Sequence, residues 1–235
     1  MNRYNGTDFY VFRPVKGDKN SLYNNNIGTI CGDKQGHIYI RCKYAVVEYD
    51  IKKNTFHTIR DNDIQAITYD NARLWVCTRD SLFTYNRVED RLDYYYNLEG
   101  VRMSCVTEDS AGNLYVGTMN NGLYMIDHNK KWLNYFPKKD ITCIYEDSKK
   151  SIWVGTKDDG LFRLDRNGGI TNYGTAPHQN MLSSSYVRCV VEDNLGNYWI
   201  GTFKGLDKLD VTTGTFTHYS KDNKPYSLSL SLIHI

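Results

Sequence analysis

The sequence predicts an all-β protein, a β-propeller fragment built from four-stranded antiparallel blades. One motif occurs in three clear copies: "EDSAGNLYVGTMNNGLYMID" (108–127), "EDSKKSIWVGTKDDGLFRLD" (146–165) and "EDNLGNYWIGTFKGLDKLD" (192–210). Two weaker copies precede these, and the central aromatic residues of the five copies lie 36, 40, 38 and 46 residues apart. This spacing is the period of a propeller blade, and helical periodicity is absent from the chain.

Each copy divides into four strand-like segments, and the residues between the segments account for the division. In the segment 109–113, the aspartate can accept hydrogen bonds from the turn backbone, and Gly112 can take a positive φ. Gly155-Thr156 ends the second strand of its copy. The missing Cβ of Gly155 predicts that a neighbouring backbone or large side chain passes close by. Gly160-Leu161 then opens the third strand.

The repeat predicts five whole blades preceded by a partial blade. The expected blades cover residues 27–60, 64–96, 101–136, 141–173 and 186–219, and the partial blade covers residues 1–12. Residues 1–229 are therefore interpreted as a propeller fragment that begins in mid-blade. The last six residues, 230–235, resemble the translation of a transposon end used to fragment DNA for sequencing, and we expect them to be a non-native tail.

The pattern N-x-W-[VI]-G-T-x-x-x-G-L-x-x-L-D, which residues 151–165 follow closely from Trp153 onward, resembles the regulator-propeller repeat in the sensor regions of hybrid two-component histidine kinases. The linker "KNSLYNNNI" (19–27) resembles that family's N-S-L-S-N-N-x-I, which leads into the innermost strand of a blade. The first two copies depart from the pattern. Arg41-Cys42 stands in place of Gly-Thr, and Cys77 replaces the glycine of the second copy.

Charge and hydropathy exclude several classes of function. Lys and Arg number 29 against 27 Asp and Glu, a net charge of +2, which argues against a dedicated nucleic-acid or anionic-membrane surface. No apolar run approaches the ~20 residues that a membrane-spanning helix needs, so we expect no direct membrane contact from this segment. The cysteines lack C-x-x-C spacing, and the histidines lack ligand spacing, so we expect neither a metal site nor a cofactor.

Candidate catalytic groups all have a structural explanation within the repeat. The Glu-Asp pairs at 108–109, 146–147 and 192–193 recur in each good copy, as turn-starting residues would. Cys105, Cys143 and Cys189 share one repeat position and are expected to be small buried residues. We therefore predict no catalytic residues in this chain.

Ligand-binding residues are expected in the loops between the second and third strands, which we call the rim loops. In a propeller these loops share one face with the loops leading into each innermost strand, and a rigid scaffold concentrates binding residues in its loops. The loop 174–185 opens on the same face. Charged, amide and aromatic side chains on the rim loops suit a hydroxyl-rich ligand. The residues expected to bind ligand are Tyr44, Arg79, Asn120, Lys157, Phe203 and Lys204.

The resemblance implies a non-catalytic, ligand-sensing module in the periplasmic sensor region of an inner-membrane hybrid histidine kinase. It further implies recognition of a glycan-derived oligosaccharide and a homodimeric full-length protein. Two alternatives remain open on the residues alone: an intracellular propeller that serves as a protein-interaction scaffold, and a propeller hydrolase or lyase. Fold by itself does not decide among them.

Overall fold

The computed structural model describes residues 1–174 and 181–220. Within these residues there is no helix, and the strands form five four-stranded antiparallel sheets and one two-stranded hairpin. The predicted fold class, a β-propeller fragment with five blades and a partial blade, is thereby confirmed. The proposed tail 230–235 and residues 175–180 of the loop 174–185 lie outside the described residues.

The chain divides into two compact units, and the first comprises Met1–Val106. It opens with a hairpin of β1 Asn2–Tyr4 and β2 Phe9–Val11. Blade 1 consists of β3 Ile27–Gly32, β4 His37–Cys42, β5 Ala45–Asp50 and β6 Thr55–Arg60. Blade 2 consists of β7 Ala66–Asp70, β8 Arg73–Cys77, β9 Ser81–Asn86 and β10 Arg91–Asn97. In each blade the strands pair in sequence order.

The second unit begins at Thr107, within the first strand of blade 3. Blade 3 consists of β11 Met103–Glu108, β12 Leu114–Thr118, β13 Leu123–Ile126 and β14 Trp132–Tyr135. Blade 4 consists of β15 Ile141–Glu146, β16 Ile152–Thr156, β17 Leu161–Leu164 and β18 Ile170–Tyr173. Blade 5 consists of β19 Val187–Glu192, β20 Tyr198–Thr202, β21 Gly205–Asp210 and β22 Thr215–Tyr219.

The aspartate of each Glu-Asp pair starts the turn between the first two strands, as predicted. In blade 3, Asp109 Oδ1 accepts hydrogen bonds from the backbone N–H groups of Ala111 (2.9 Å) and Asn113 (2.8 Å). Gly112 has φ 86°, a conformation that costs glycine little. This local chemistry explains why strands separate at the same point in each copy.

The glutamate of the pair does something different, because it reaches the preceding blade. Glu192 accepts hydrogen bonds from the Ser148 backbone N–H and from its hydroxyl, both at 2.7 Å. Glu146 holds Ser110 in the same way, at 2.9 and 2.7 Å. The expectation that both acidic residues start turns is therefore wrong for these glutamates. Each one ties its own blade to the turn of the blade before it.

The second strands carry the core aromatics. Tyr39, Trp75, Tyr115 and Trp153 are at least nine-tenths buried, whereas Trp199 at the equivalent position in blade 5 is only half-buried. The ring of Tyr198 in blade 5 covers Trp153, with ring centroids 4.2 Å apart. No further blade lies over Trp199 within the described residues.

Close packing between blades explains the glycine that ends β16. A Cβ at Gly155 would overlap the thiol of Cys143 on β15 and would lie 2.9 Å from Val187 Cγ1 of the next blade. This confirms the close approach predicted from the missing side chain. Cys143 and its counterparts Cys105 and Cys189 are half-buried, so the expectation that they are buried is wrong.

Candidate functional site

In blades 3, 4 and 5, the threonine of the Gly-Thr pair at the end of the second strand closes the rim loop with a hydrogen bond. Thr118 Oγ1 donates to Gly122 O at 2.6 Å, Thr156 Oγ1 to Gly160 O at 2.8 Å, and Thr202 Oγ1 to Gly205 O at 3.1 Å. These threonines are fully buried. The buried hydroxyls hold the loop backbone in place, so the side chains at the loop tips project from a fixed support.

In blades 1 to 4, a backbone hydrogen bond joins the rim loop to the loop that leads into the next blade. In the first unit, Ile64 N donates to Tyr44 O and Met103 N donates to Arg79 O, both at 2.9 Å. In the second unit, Gly122 N donates to Lys139 O and Gly160 N donates to Ser185 O, both at 3.0 Å. Within each unit the two sets of loops therefore lie at the same end of the blades, as the topology predicts.

In the first unit, both predicted ligand-binding residues are exposed. Tyr44 is 52% exposed, and Lys43 Nζ lies 5.7 Å from the centroid of its ring. Arg79 is also exposed, and its guanidinium forms no ion pair with a described residue. The structure thus places one aromatic ring and two cations, Lys43 and Arg79, on this part of the rim.

The departure at Arg41 in blade 1 is compensated within the same blade. The Arg41 guanidinium fills the space where Gly28 would carry a Cβ, and Arg41 Nη1 donates to Lys43 O at 2.9 Å. Burial lowers the pKa of Arg41. Arginine in place of glycine is tolerated on β4 because the partner strand β3 carries glycine instead.

In the second unit, the structure brings Asn120 and Lys157 together around one carboxylate. Asp140 accepts from Asn120 N at 2.5 Å, and its other oxygen lies 3.9 Å from Lys157 Nζ. Lys139 Nζ lies 2.6 Å from Asp159 Oδ1. The charges of the blade 4 rim loop and of the loop that leads into β15 therefore partly neutralise one another. This makes Lys157 a weaker anion-binding candidate than its sequence position predicts.

Phe203 and Lys204 lie where the rim of the second unit presents exposed aromatic and cationic side chains together. Phe203 is 62% exposed, and its ring lies parallel to that of Tyr186, with an interplanar angle of 2° and centroids 6.0 Å apart. The Arg188 guanidinium carbon lies 5.2 Å from the Tyr186 centroid and 5.8 Å from the Phe203 centroid. We call Tyr186, Arg188 and Phe203 the aromatic–arginine cluster.

Two members of this cluster, Tyr186 and Arg188, are not among the residues predicted to bind ligand. Both lie in "YVRCVVED", which reads as a buried strand. A usable signal was present, because the position before the shared cysteine holds a polar residue in three successive copies: Ser104, Thr142 and Arg188. A recurrent polar residue inside an apolar strand indicates a bulge.

At the opposite end of the blades of the first unit, a groove of about 340 Å³ opens between β5, β6 and the β9–β10 turn. Its charged groups are already paired. Arg87 binds Glu48 through Nε and Nη2 at 3.0–3.2 Å, and Asp90 accepts from Tyr85 and contacts His57, both at 2.8 Å. Burial, followed by the hydrogen bond to Asp90, raises the pKa of Tyr85. The groove therefore resembles an ionic clamp between blades 1 and 2 more than a vacant site.

A larger groove of about 1010 Å³ runs between the linker 14–23 and β6. The linker contacts this strand directly, since Asn20 O accepts from Phe56 N at 3.2 Å. Its lining mixes the apolar side chains of Val15, Leu22 and Tyr23 with charged neighbours. None of the predicted ligand-binding residues lines either groove.

The described residues present neither a metal cluster nor a membrane-spanning helix. In residues 1–174 and 181–220, no group of three His, Cys, Asp or Glu side chains converges in a way that could hold a metal ion. Within the same part of the chain, no helix is long and apolar enough to cross a bilayer.

Comparison with known proteins finds a family match for two of the repeats. Residues 135–158 and 181–204 match the family described as two component regulator propeller, and the second match contains the whole aromatic–arginine cluster. No match was found among curated proteins.

Solved structures share the fold. The chain resembles the extracellular domain of a hybrid two-component system from B. thetaiotaomicron, with a TM-score of 0.80 and 23% identity over 97% of this chain and 33% of that one. A second such domain from the same organism gives a TM-score of 0.75 and 19% identity, covering 97% and 32%. Virginiamycin B lyase from Staphylococcus aureus gives a TM-score of 0.67 and 13% identity over 85% of this chain and 71% of that one.

The chain spans about a third of the length of the two hybrid-system structures. Two of its repeats match the two component regulator propeller family, and its fold is shared with the extracellular domains of hybrid two-component systems.

Proposed function

We propose that this chain is a non-catalytic, ligand-sensing part of the periplasmic region of a hybrid two-component histidine kinase, and that its ligand is a glycan-derived oligosaccharide. The aromatic–arginine cluster is the observation that carries the proposal. It places an exposed aromatic ring beside a cation on a rim whose backbone is fixed by buried threonines. Sugars are bound by this combination of a flat apolar surface and charged or amide hydrogen-bonding groups.

The absence of catalysis is supported by how the repeated carboxylates are used. Asp147 accepts from Ser151, Trp153 and Tyr198, and Asp193 accepts from Leu195, Asn197 and Trp199. In each case structural donors occupy most of the acceptor positions of the carboxylate, which leaves little of it available to a substrate. Virginiamycin B lyase shares the fold, but fold does not carry activity across.

Location and assembly follow from the same proposal. The fold neighbours are extracellular domains of hybrid two-component systems, which supports a periplasmic position for this segment. In the full-length kinase we expect a homodimer, since ligand binding then changes the arrangement of two identical chains across the membrane.

Calorimetric titration with a panel of oligosaccharides tests the proposal. Phe203→Ala is expected to weaken binding by about tenfold or more, because an aromatic contact at the centre of an interface is commonly worth more than ~1.4 kcal/mol. Its matched control is Tyr94→Ala, since Tyr94 is similarly exposed at 64% but lies on the fourth strand of its blade, away from the rim loops. Arg79→Ala and Lys157→Ala report on the other predicted contacts.

The titration results distinguish a ligand-sensing rim from a protein-interaction scaffold. Binding that is lost in Phe203→Ala and kept in Tyr94→Ala supports a rim site. Equal affinity in all variants would remove the rim from the site. If no oligosaccharide binds, the interaction-scaffold alternative is favoured, and the exposed Trp132, Leu133 and Ile170 on the fourth strands become the surface to test.

A further inference from the structure

Arg188 is displaced from the regular alternation of its strand. The register of β19 against β20 shifts between Val187 and Cys189, so Arg188 is the extra residue of a β-bulge. Val187 is fully buried, whereas Arg188 is exposed. Bulges redirect single side chains and are frequent beside functional sites. Here the bulge turns a cation out of a core strand towards the rim.

The side chain of Arg188 is then held by aromatic rings rather than by an acid. Its guanidinium carbon lies within 6 Å of the centroids of both Tyr186 and Phe203, the range of a cation–π contact. Phe203 N donates to Tyr186 O at 2.9 Å, which holds the backbones of the two residues together. Within the described residues, the Arg188 side chain forms no hydrogen bond or ion pair.

Neighbouring polar groups at comparable positions form hydrogen bonds that Arg188 lacks within the described residues. At the equivalent bulge of blade 4, the Thr142 hydroxyl donates to Val187 O at 2.6 Å. Arg163, which also lies over an aromatic ring, donates to Ser151 Oγ at 3.0 Å. Arg188 keeps its N–H donors available beside an exposed ring, and Lys204 next to Phe203 also lacks an ion pair within the described residues.

A guanidinium presents its donors as a planar fork that matches two oxygens of a carboxylate or sulfate. We infer that the oligosaccharide carries an anionic group, a uronate carboxylate or a sulfate, which Arg188 binds while the sugar ring lies against Phe203. This inference rests on the proposed function and narrows it to acidic oligosaccharides.

Trigalacturonate and its methyl ester form a matched pair of probes, since the ester keeps the sugar rings and removes the charge. We expect the acid to bind the wild-type chain in calorimetry and the ester to bind about tenfold or more weakly, because a hydrogen bond to a charged group contributes about that factor. Arg188→Gln should abolish this preference, and Arg188→Lys should restore only part of it. A sulfated disaccharide, measured in parallel, distinguishes sulfate from carboxylate recognition.

Arg166→Gln is the matched control. Arg166 is equally cationic and exposed but lies in the β17–β18 turn, at the opposite end of its blade, so its removal changes net charge without touching the rim. Acid preference that survives in Arg188→Gln, or falls equally in Arg166→Gln, would overturn the inference. If the ester binds as well as the acid, oligosaccharide sensing stands and the anionic requirement fails. If neither form nor the sulfated disaccharide binds while another member of the oligosaccharide panel does, only the anionic requirement fails. If no member of the panel binds, both proposals fail.

Discussion

Replacing Asp147 by asparagine is expected to weaken the attachment of blade 5 to blade 4. Asp147 Oδ2 accepts from Trp153 Nε1 of its own blade at 2.9 Å and from Tyr198 OH of the next blade at 2.7 Å. Oδ1 accepts from Ser151 N at 2.7 Å. The side chain of Asp147 is buried, so one carboxylate joins two blades out of contact with water.

The expected loss in the free energy of unfolding follows from the hydrogen bonds that Asp147→Asn changes. In Asp147→Asn, the amide oxygen can still accept from Ser151, but the NH₂ group faces the indole N–H of Trp153, and only Tyr198 can reverse its role. Two hydrogen bonds to a charged acceptor, at about 1.5–3 kcal/mol each, are replaced by one neutral bond of about 1 kcal/mol. The expected loss is about 2–5 kcal/mol in the free energy of unfolding.

Asp193 provides a matched control, because it starts the same turn in blade 5. It accepts from Trp199 Nε1 at 3.0 Å, and no tyrosine of a further blade reaches it within the described residues. Asp193→Asn should therefore cost less than Asp147→Asn. Tyr198→Phe removes only the bond between the blades and should cost about 1.5–3 kcal/mol. In the Asp147→Asn background, Tyr198→Phe should cost much less, because the carboxylate that accepts from Tyr198 is already lost.

Urea unfolding followed by tryptophan fluorescence measures these losses. Equal losses for the two asparagine variants, or a loss below about 0.5 kcal/mol for Tyr198→Phe, would refute the role of Asp147 between blades. The pH dependence gives an independent check. Burial acts to raise the pKa of Asp147, but the hydrogen bonds from Trp153, Tyr198 and Ser151 outweigh it and lower the pKa. The stabilisation is therefore present above the unfolded pKa of about 4 and is lost as the pH falls through the lower folded value.

Two further predictions concern contacts in the second unit. Gly155→Ala should lower stability by about 1–3 kcal/mol, the usual cost of overpacking, because the new methyl group overlaps the Cys143 thiol. Thermal unfolding of the double variant with Cys143→Ala should show partial recovery of stability. No recovery would show that the strain lies elsewhere. Glu192→Gln should cost about 0.5–1.5 kcal/mol by removing one acceptor from Ser148. Glu146→Gln should behave alike in urea unfolding, and a stable variant at either site would show that these bonds between blades contribute little.

The sequence by itself determined the period, the strands and the turns between them. These features depend on local chemistry, such as Asp109 accepting from the backbone two and four residues ahead, and Gly112 taking a positive φ. Such interactions are complete within five residues, so each copy of the motif shows them without knowledge of its neighbours. The rim loops were placed by topology alone for the same reason, since alternating strands must return to the same end.

Only the tertiary structure decided which residues meet across blades. Glu192 bonds a serine 44 residues away, and Tyr198 bonds an aspartate 51 residues away. Arg41 fits because Gly28 on the adjacent strand leaves room for it. These contacts depend on the angle and spacing of packed sheets, which a repeat pattern does not record.

In the candidate site, too, some features could be predicted from the sequence and others depend on the tertiary structure. Exposure of Phe203 and Lys157 could be predicted from their loops, but their electrostatic states could not. Lys157 lies near Asp140, which the fold brings from the preceding loop, while Arg188 reaches the rim only because a bulge shifts the register of β19. A bulge changes the direction of one side chain without changing the pattern around it. The sequence therefore determined where the rim lies, and packing decided which of its charges remain available for a ligand.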